Sequence, residues 1–170
     1  MTDYLTGKKI LIVDDEPDVL EMLSDLLSQC LIDRALTSDI AKQLIARNDY
    51  DAAILDIMGV NGYELLDLCR QRQIPAVMLT AHALSSENLV ASVKKGAYAY
   101  IPKDEMIQID SYLSDVIAGG VDPAPQSTNW FNKLAPVFDK KFGPDWKIKN
   151  KEFLKEFNLE HSRDELESLR

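Results

Sequence analysis

The sequence predicts an α/β fold: a five-stranded, doubly wound parallel sheet with a short C-terminal helical extension. Two observations carry this. Through residues 1–118, short apolar runs alternate five times with stretches whose apolar residues fall three or four apart. Repeated strand-then-helix units bury a parallel sheet under helices on both faces, joined by right-handed crossovers. Beyond them, residues 119–129 (GGVDPAPQSTN) combine two Gly and two Pro with few apolar side chains and read as a linker, which sets residues 130–170 apart as a helical tail.

Ile10, Leu11, Ile12 and Val13 read as the first buried strand. Pro17 suits the first turn of the next helix, whose apolar face is Val19, Leu20, Leu23, Leu26 and Leu27. A weaker strand lies near residues 32–36, and Thr37 or Ser38 caps a helix that buries Ile40, Ala41, Leu44 and Ile45. Residues 52–55 form the third strand, which ends at Asp56; 59–62 form a loop and 63–72 a helix. Pro75 leads into a fourth strand over 76–79, and residues 85–95 are helical with Leu89, Val90 and Val93 inward. Residues 98–101 form the fifth strand. Asp104 caps a last helix with Met106, Ile109, Leu113, Val116 and Ile117 on one face. In the tail, Trp130, Phe131, Leu134, Val137 and Phe138 have helical spacing up to Gly143-Pro144. Phe153, Leu154 and Phe157 mark a second short helix, and Leu166 and Leu169 a third.

Charge narrows the function. The formal net charge is −9, and residues 120–170 hold nine Lys/Arg against nine Asp/Glu, so the whole acidic excess lies in residues 1–119. Such a surface weighs against nucleic acid and against anionic lipid, both of which select clustered Lys and Arg. Cys30 and Cys69 stand in apolar, helix-like stretches and read as small core residues in a reducing compartment. No apolar run approaches the ~18 residues of a membrane span, and residues 1–9 show no targeting signal, so the expected location is cytoplasmic.

In an open parallel sheet, chemistry collects beyond the C-terminal strand ends. The first strand ends in Asp14-Asp15, followed by Glu16; the third ends in Asp56; the fourth ends in Thr80; Lys103 follows the fifth. Carboxylates gathered at one rim repel each other unless a cation neutralises them, and Mg²⁺ suits an all-oxygen set. Its open positions accept phosphoryl oxygens. A lysine adds a point charge for the same oxygens, and a hydroxyl adds a hydrogen bond. Under those conditions a carboxylate can itself be the nucleophile and form an acyl phosphate. Asp56 suits that role; Asp14 and Asp15, as a pair, suit the metal.

The stretches ILIVDDEPDVLEML (10–23), AAILDIMGVNGYELL (52–66), AVMLTA (76–81) and GAYAYIPKD (96–104) resemble a response-regulator receiver domain of two-component signalling. The resemblance covers about residues 8–118 and implies a flavodoxin-like sheet with strand order 2-1-3-4-5. It implies phosphorylation on Asp56, with Mg²⁺ bound by Asp14, Asp15, Asp56 and the backbone carbonyl of Met58. It implies that Thr80 hydrogen-bonds the phosphoryl group, that Lys103 pairs with that group and with Asp56, and that Tyr100 is an aromatic switch turning inward as Thr80 moves. The implied partner is a sensor histidine kinase or phosphotransfer protein, with output through the face near Tyr100 and residues 85–118. Two features depart from the family pattern. Gly62 comes six residues after Asp56 with no intervening proline, a loop shortened by two residues; and Pro102 precedes Lys103 where the family often has a proline after its lysine.

The tail is too small for most output domains. Its apolar stripe needs burial, on its own receiver, on a second copy in a homodimer, or on another docking partner. Two other functions compete. An aspartate-dependent Mg²⁺ phosphohydrolase would want a second Asp two residues after the nucleophile, where this chain has Met58. A DNA-binding regulator acting through the tail is opposed by the charge. The expectation is a switch and not a conventional enzyme, with self-phosphorylation and self-dephosphorylation as its only chemistry.

Overall fold

Five parallel strands form one sheet in the order β2-β1-β3-β4-β5. The computed structural model describes residues 3–81, 84–119, 129–157 and 159. The strands are β1 (Lys9–Val13), β2 (Leu31–Ala35), β3 (Ala52–Asp56), β4 (Ala76–Thr80) and β5 (Ala99–Pro102). Between and after them come α1 (Pro17–Leu26), α2 (Ser38–Arg47), α3 (Gly62–Gln71), α4 (Ser86–Lys94) and α5 (Ile109–Gly119). The tail holds α6 (Asn129–Phe142), α7 (Trp146–Lys149) and α8 (Lys151–Glu156). The linker expected over 119–129 falls almost wholly outside the described residues, as does the third tail helix.

Residue chemistry explains the sheet. Every position of β3, β4 and β5 is buried, which is why these strands read as continuous apolar runs and not as alternating ones. β2, at an edge, is largely open, with Leu31 60% exposed. Local signals set the helix starts. Pro17 opens α1. Thr37, and not Ser38, caps α2 by accepting the Ile40 N–H at 3.2 Å, and Ser85 caps α4 by accepting the Asn88 N–H at 3.0 Å.

Two local expectations change. Ile40 is exposed, because the buried stripe of α2 centres on Ala41 and Ile45 and one residue turns the helix by roughly 100°. Asp104 is no cap: Pro102 ends β5, residues Lys103–Gln108 wind as a 3-10 turn, and α5 begins at Ile109. The tighter turn brings the chain out of the sheet directly at Lys103.

The tail packs on its own receiver: α6 lies on β5 and α5. Trp130, Phe131, Leu134 and Phe138 are buried, and Lys133 Nζ reaches Ser111 Oγ at 2.8 Å and Asp115 Oδ2 at 3.0 Å on α5. Gly143, at φ +90°, ends α6 in the left-handed conformation, and its N–H bonds the Asp139 carbonyl at 3.2 Å. Among the described residues no helix is long and apolar enough to cross a membrane.

Candidate functional site

Strand register assembles the site. Val13 pairs with Leu55, Asp56 with Leu79, and Thr80 with Pro102. The residues at or just past these strand ends, Asp14, Asp56, Thr80 and Lys103, therefore share one rim. The chain runs from β1 outward to β2 and then crosses to β3 on β1's other side, so the rim above β1 and β3 is the switch point of the topology.

The carboxylates converge there. Asp14, Asp15 and Asp56 each place an oxygen within 4.8 Å of the others', with Asp14 and Asp56 buried and Asp15 exposed. Lys103 Nζ lies 2.9 Å from Asp14 Oδ2, 3.6 Å from Asp56 Oδ1 and 3.6 Å from Glu16 Oε2. One ammonium thus faces three carboxylates. Burial, then the charge of Asp14, pushes the Asp56 carboxyl up to about 6. Burial also raises Asp14, against Lys103. For Lys103, burial disfavours the ammonium, but Asp14, Asp56 and Glu16 outweigh it and hold its pKa above the ordinary lysine value.

This donor set fits a hard divalent cation. Asp14 Oδ1 accepts the Glu16 N–H at 2.9 Å. Its Oδ2 is paired in charge with Lys103 but lacks a well-angled hydrogen bond while out of contact with water. A buried anionic oxygen that is incompletely hydrogen-bonded is costly, and a cation among the three carboxylates would offset that cost while taking the oxygen ligands Mg²⁺ prefers. Gly59, at φ +81°, shapes the same cradle: a Cβ there would lie 2.6 Å from Asp15 Oδ2, so a larger residue would push that exposed carboxylate aside.

The remaining expected residues take these places. Thr80 is buried at the end of β4. Met58 sits in the turn after β3 with its side chain 56% exposed. Tyr100 is fully buried, already inward; its hydroxyl accepts the Ser85 N–H at 3.1 Å and donates to the Ser85 carbonyl at 3.3 Å. Its ring is covered by Phe138, with centroids 6.1 Å apart. The sequence reading missed Ser85 and Phe138 here; the only signal was the apolar stripe of the tail, which does not say where it docks. The tail accordingly covers part of the face near Tyr100 through which output was expected.

Among protein families, the model of the response regulator receiver domain matches residues 10–112. The chain belongs to this family. The receiver match stops short of α6 and leaves the tail outside it. Over 105 residues the chain is 31% identical to the response regulator protein PilR of Pseudomonas aeruginosa, covering 58% of this chain and 23% of PilR. It is 35% identical over 104 residues to the DNA-binding response regulator MtrA of Mycolicibacterium smegmatis, covering 56% of this chain and 44% of MtrA. The chain thus spans less than half the length of these relatives. The crystal structure of a CheY-like receiver domain protein from Methanospirillum hungatei JF-1 is 28% identical at a TM-score of 0.57, covering 66% of this chain and 98% of that one. The expectation of no nucleic-acid partner finds no support in this company, since MtrA is named as a DNA-binding regulator.

Proposed function

We propose that this receiver accepts a phosphoryl group on Asp56 from a sensor histidine kinase or phosphotransfer protein in the cytoplasm, and signals through protein contacts. The observation that supports it most is the meeting of Asp14, Asp15 and Asp56 with Lys103 at one largely buried rim. An Asp56 oxygen attacks the donor's phosphorus in line; the P–N bond breaks, the imidazole leaves and takes up a proton, and an acyl phosphate remains. Asp14, Asp15, Asp56 and the Met58 carbonyl would hold Mg²⁺, which when bound would supply neutralising charge for the transferring group. Lys103 presents a fixed positive charge beside Asp56, and the Thr80 hydroxyl donates to a phosphoryl oxygen. The inward Tyr100 goes with Thr80 engaged on the phosphoryl group. Water later cleaves the acyl phosphate and resets Asp56, so the chemistry serves a switch and not a conventional enzyme. Met58, two residues past Asp56, offers no acid for the phosphohydrolase alternative.

Intact mass after incubation with a small acyl-phosphate donor tests this. Wild type is expected to gain one phosphoryl group with Mg²⁺ and none with chelator, and Asp56→Asn to gain none under either condition. Wild type that stays unmodified under Mg²⁺, with a donor shown to be intact, would refute the reading.

A further inference from the structure

The tail does more than cover apolar surface, because its central ring lies against a residue tied to the site. Phe138 is fully buried at the heart of an aromatic cluster, with ring centroids 5.3 Å from Phe142, 5.9 Å from Phe131 and 6.3 Å from Trp146. Its remaining face meets Tyr100 on the edge strand β5. The Tyr100 hydroxyl, in turn, grips both backbone groups of Ser85. Ser85 starts α4: its Oγ accepts the Asn88 N–H and its carbonyl accepts the Leu89 N–H, each at 3.0 Å. Five residues back along the chain is Thr80, the buried end of β4, next to the strand that ends in Asp56. Only four residues separate Thr80 from Ser85, so the length of that connection limits how far one can move without the other. A shift of Ser85 would break its two bonds to the Tyr100 hydroxyl, and Phe138 packs beside the Tyr100 ring that holds them.

We propose that Phe138 is a positioning residue that clamps Tyr100 inward and, through Ser85, fixes the start of α4, so that tail docking and phosphorylation of Asp56 favour the same conformation and strengthen each other. The coupling rests on the reading of Asp56 as phospho-acceptor; the clamp itself rests on the geometry alone. Coupling of this kind is reciprocal: whatever phosphorylation adds to tail docking, docking adds to phosphorylation.

The test uses the full chain with Phe138→Ala and the volume-keeping Phe138→Leu. Without any phosphoryl donor, hydrogen exchange at the amides of Ser85, Asn88 and Leu89 should be roughly tenfold faster in Phe138→Ala, the size of one lost aromatic contact. It should stay near wild type in Phe138→Leu, and β1 and β3 should be unchanged in both. Unchanged exchange at those amides in Phe138→Ala would overturn the clamp. With donor and Mg²⁺, the phosphorylated fraction by intact mass should fall in Phe138→Ala and recover in Phe138→Leu. Trp130 and Trp146, the chain's two tryptophans, both sit in the buried tail cluster and report docking. Acrylamide quenching of their emission should decrease when wild type is phosphorylated. Quenching that rises, or does not change, in protein whose mass shows the phosphoryl group would overturn the coupling. Absence of the mass gain in wild type would instead remove the phospho-acceptor reading and the coupling with it, and the clamp is then decided by exchange.

Discussion

Gly62→Ala is expected to destabilise the protein by about 3 kcal/mol, at the upper end of what overpacking a core costs. Gly62 opens α3, and a Cβ there would lie 2.2 Å from the Asp56 carbonyl oxygen and 2.8 Å from the Ile57 Cα. Both obstacles are backbone, so no rotamer change can relieve them; either α3 or the end of β3 must shift. The cause is the short connection. Gly59 at φ +81° and Asn61 at φ +53° turn the chain sharply, and the Gly62 N–H closes it on the Ile57 carbonyl at 3.0 Å. The helix thus starts directly against the strand end that carries Asp56. Urea unfolding at constant slope should show the loss as a lowered midpoint, and Asp56 phosphorylation should slow in the same variant because its carbonyl is displaced. A variant within ~0.5 kcal/mol of wild type, the range of ordinary surface changes, would contradict this close approach.

That loop also shows what was and was not legible in the sequence. The spacing from Asp56 to Gly62 reveals a connection two residues short of the family pattern, but a count of residues cannot show that the missing length is absorbed by bringing α3 onto Asp56. The strands were legible because burial on both faces leaves unbroken apolar runs such as Ala52 to Leu55. The rim was legible because parallel strands put all their C-terminal ends on one side, so Asp14, Asp56, Thr80 and Lys103 could be grouped without any coordinates. Distances within the group were not: nothing in the sequence says that Lys103 sits closer to Asp14 than to Asp56. The start of α5 was misread because Asp104 looks like a cap, whereas the proline that closes β5 sends the chain into a 3-10 turn first. The docking of the tail was least legible of all. An amphipathic stripe records that a face is buried, and the partner that buries it is a tertiary fact. Only the structure places Phe138 on Tyr100.

Asp56→Asn is expected to stabilise the metal-free protein at neutral pH, by up to roughly 3 kcal/mol. Folding lifts the Asp56 carboxyl from 3.8 to about 6, by burial and by the neighbouring negative charge of Asp14, and each pH unit of such a displacement is worth about 1.4 kcal/mol. The side chain is only 8% exposed, so solvent screens little of this. Between about pH 4 and 6 the native state binds more protons at this site than the unfolded chain does, so stability falls as pH rises through that window and the penalty is constant above it. Asp14, raised in the same direction, adds to the slope. Asparagine keeps the shape and removes the charge, and the relieved neighbours include the donor-poor Asp14 oxygen. In chelator at pH 7.5, the variant's Tm should exceed wild type's by roughly 6–12 °C, and the gap should shrink steadily as the pH is lowered to about 4, where wild-type Asp56 is protonated too. Mg²⁺ should close the gap from the other side, because a cation that binds only the folded acidic cluster stabilises wild type by mass action, about 1.4 kcal/mol at ten times its dissociation constant. A gap that stays constant across pH, or that Mg²⁺ leaves untouched, would mean that the carboxylates do not repel one another in the folded protein. The cost of the empty cluster in folding is then the same quantity as the site's appetite for positive charge: the repulsion that destabilises the bare protein is what a bound cation would relieve.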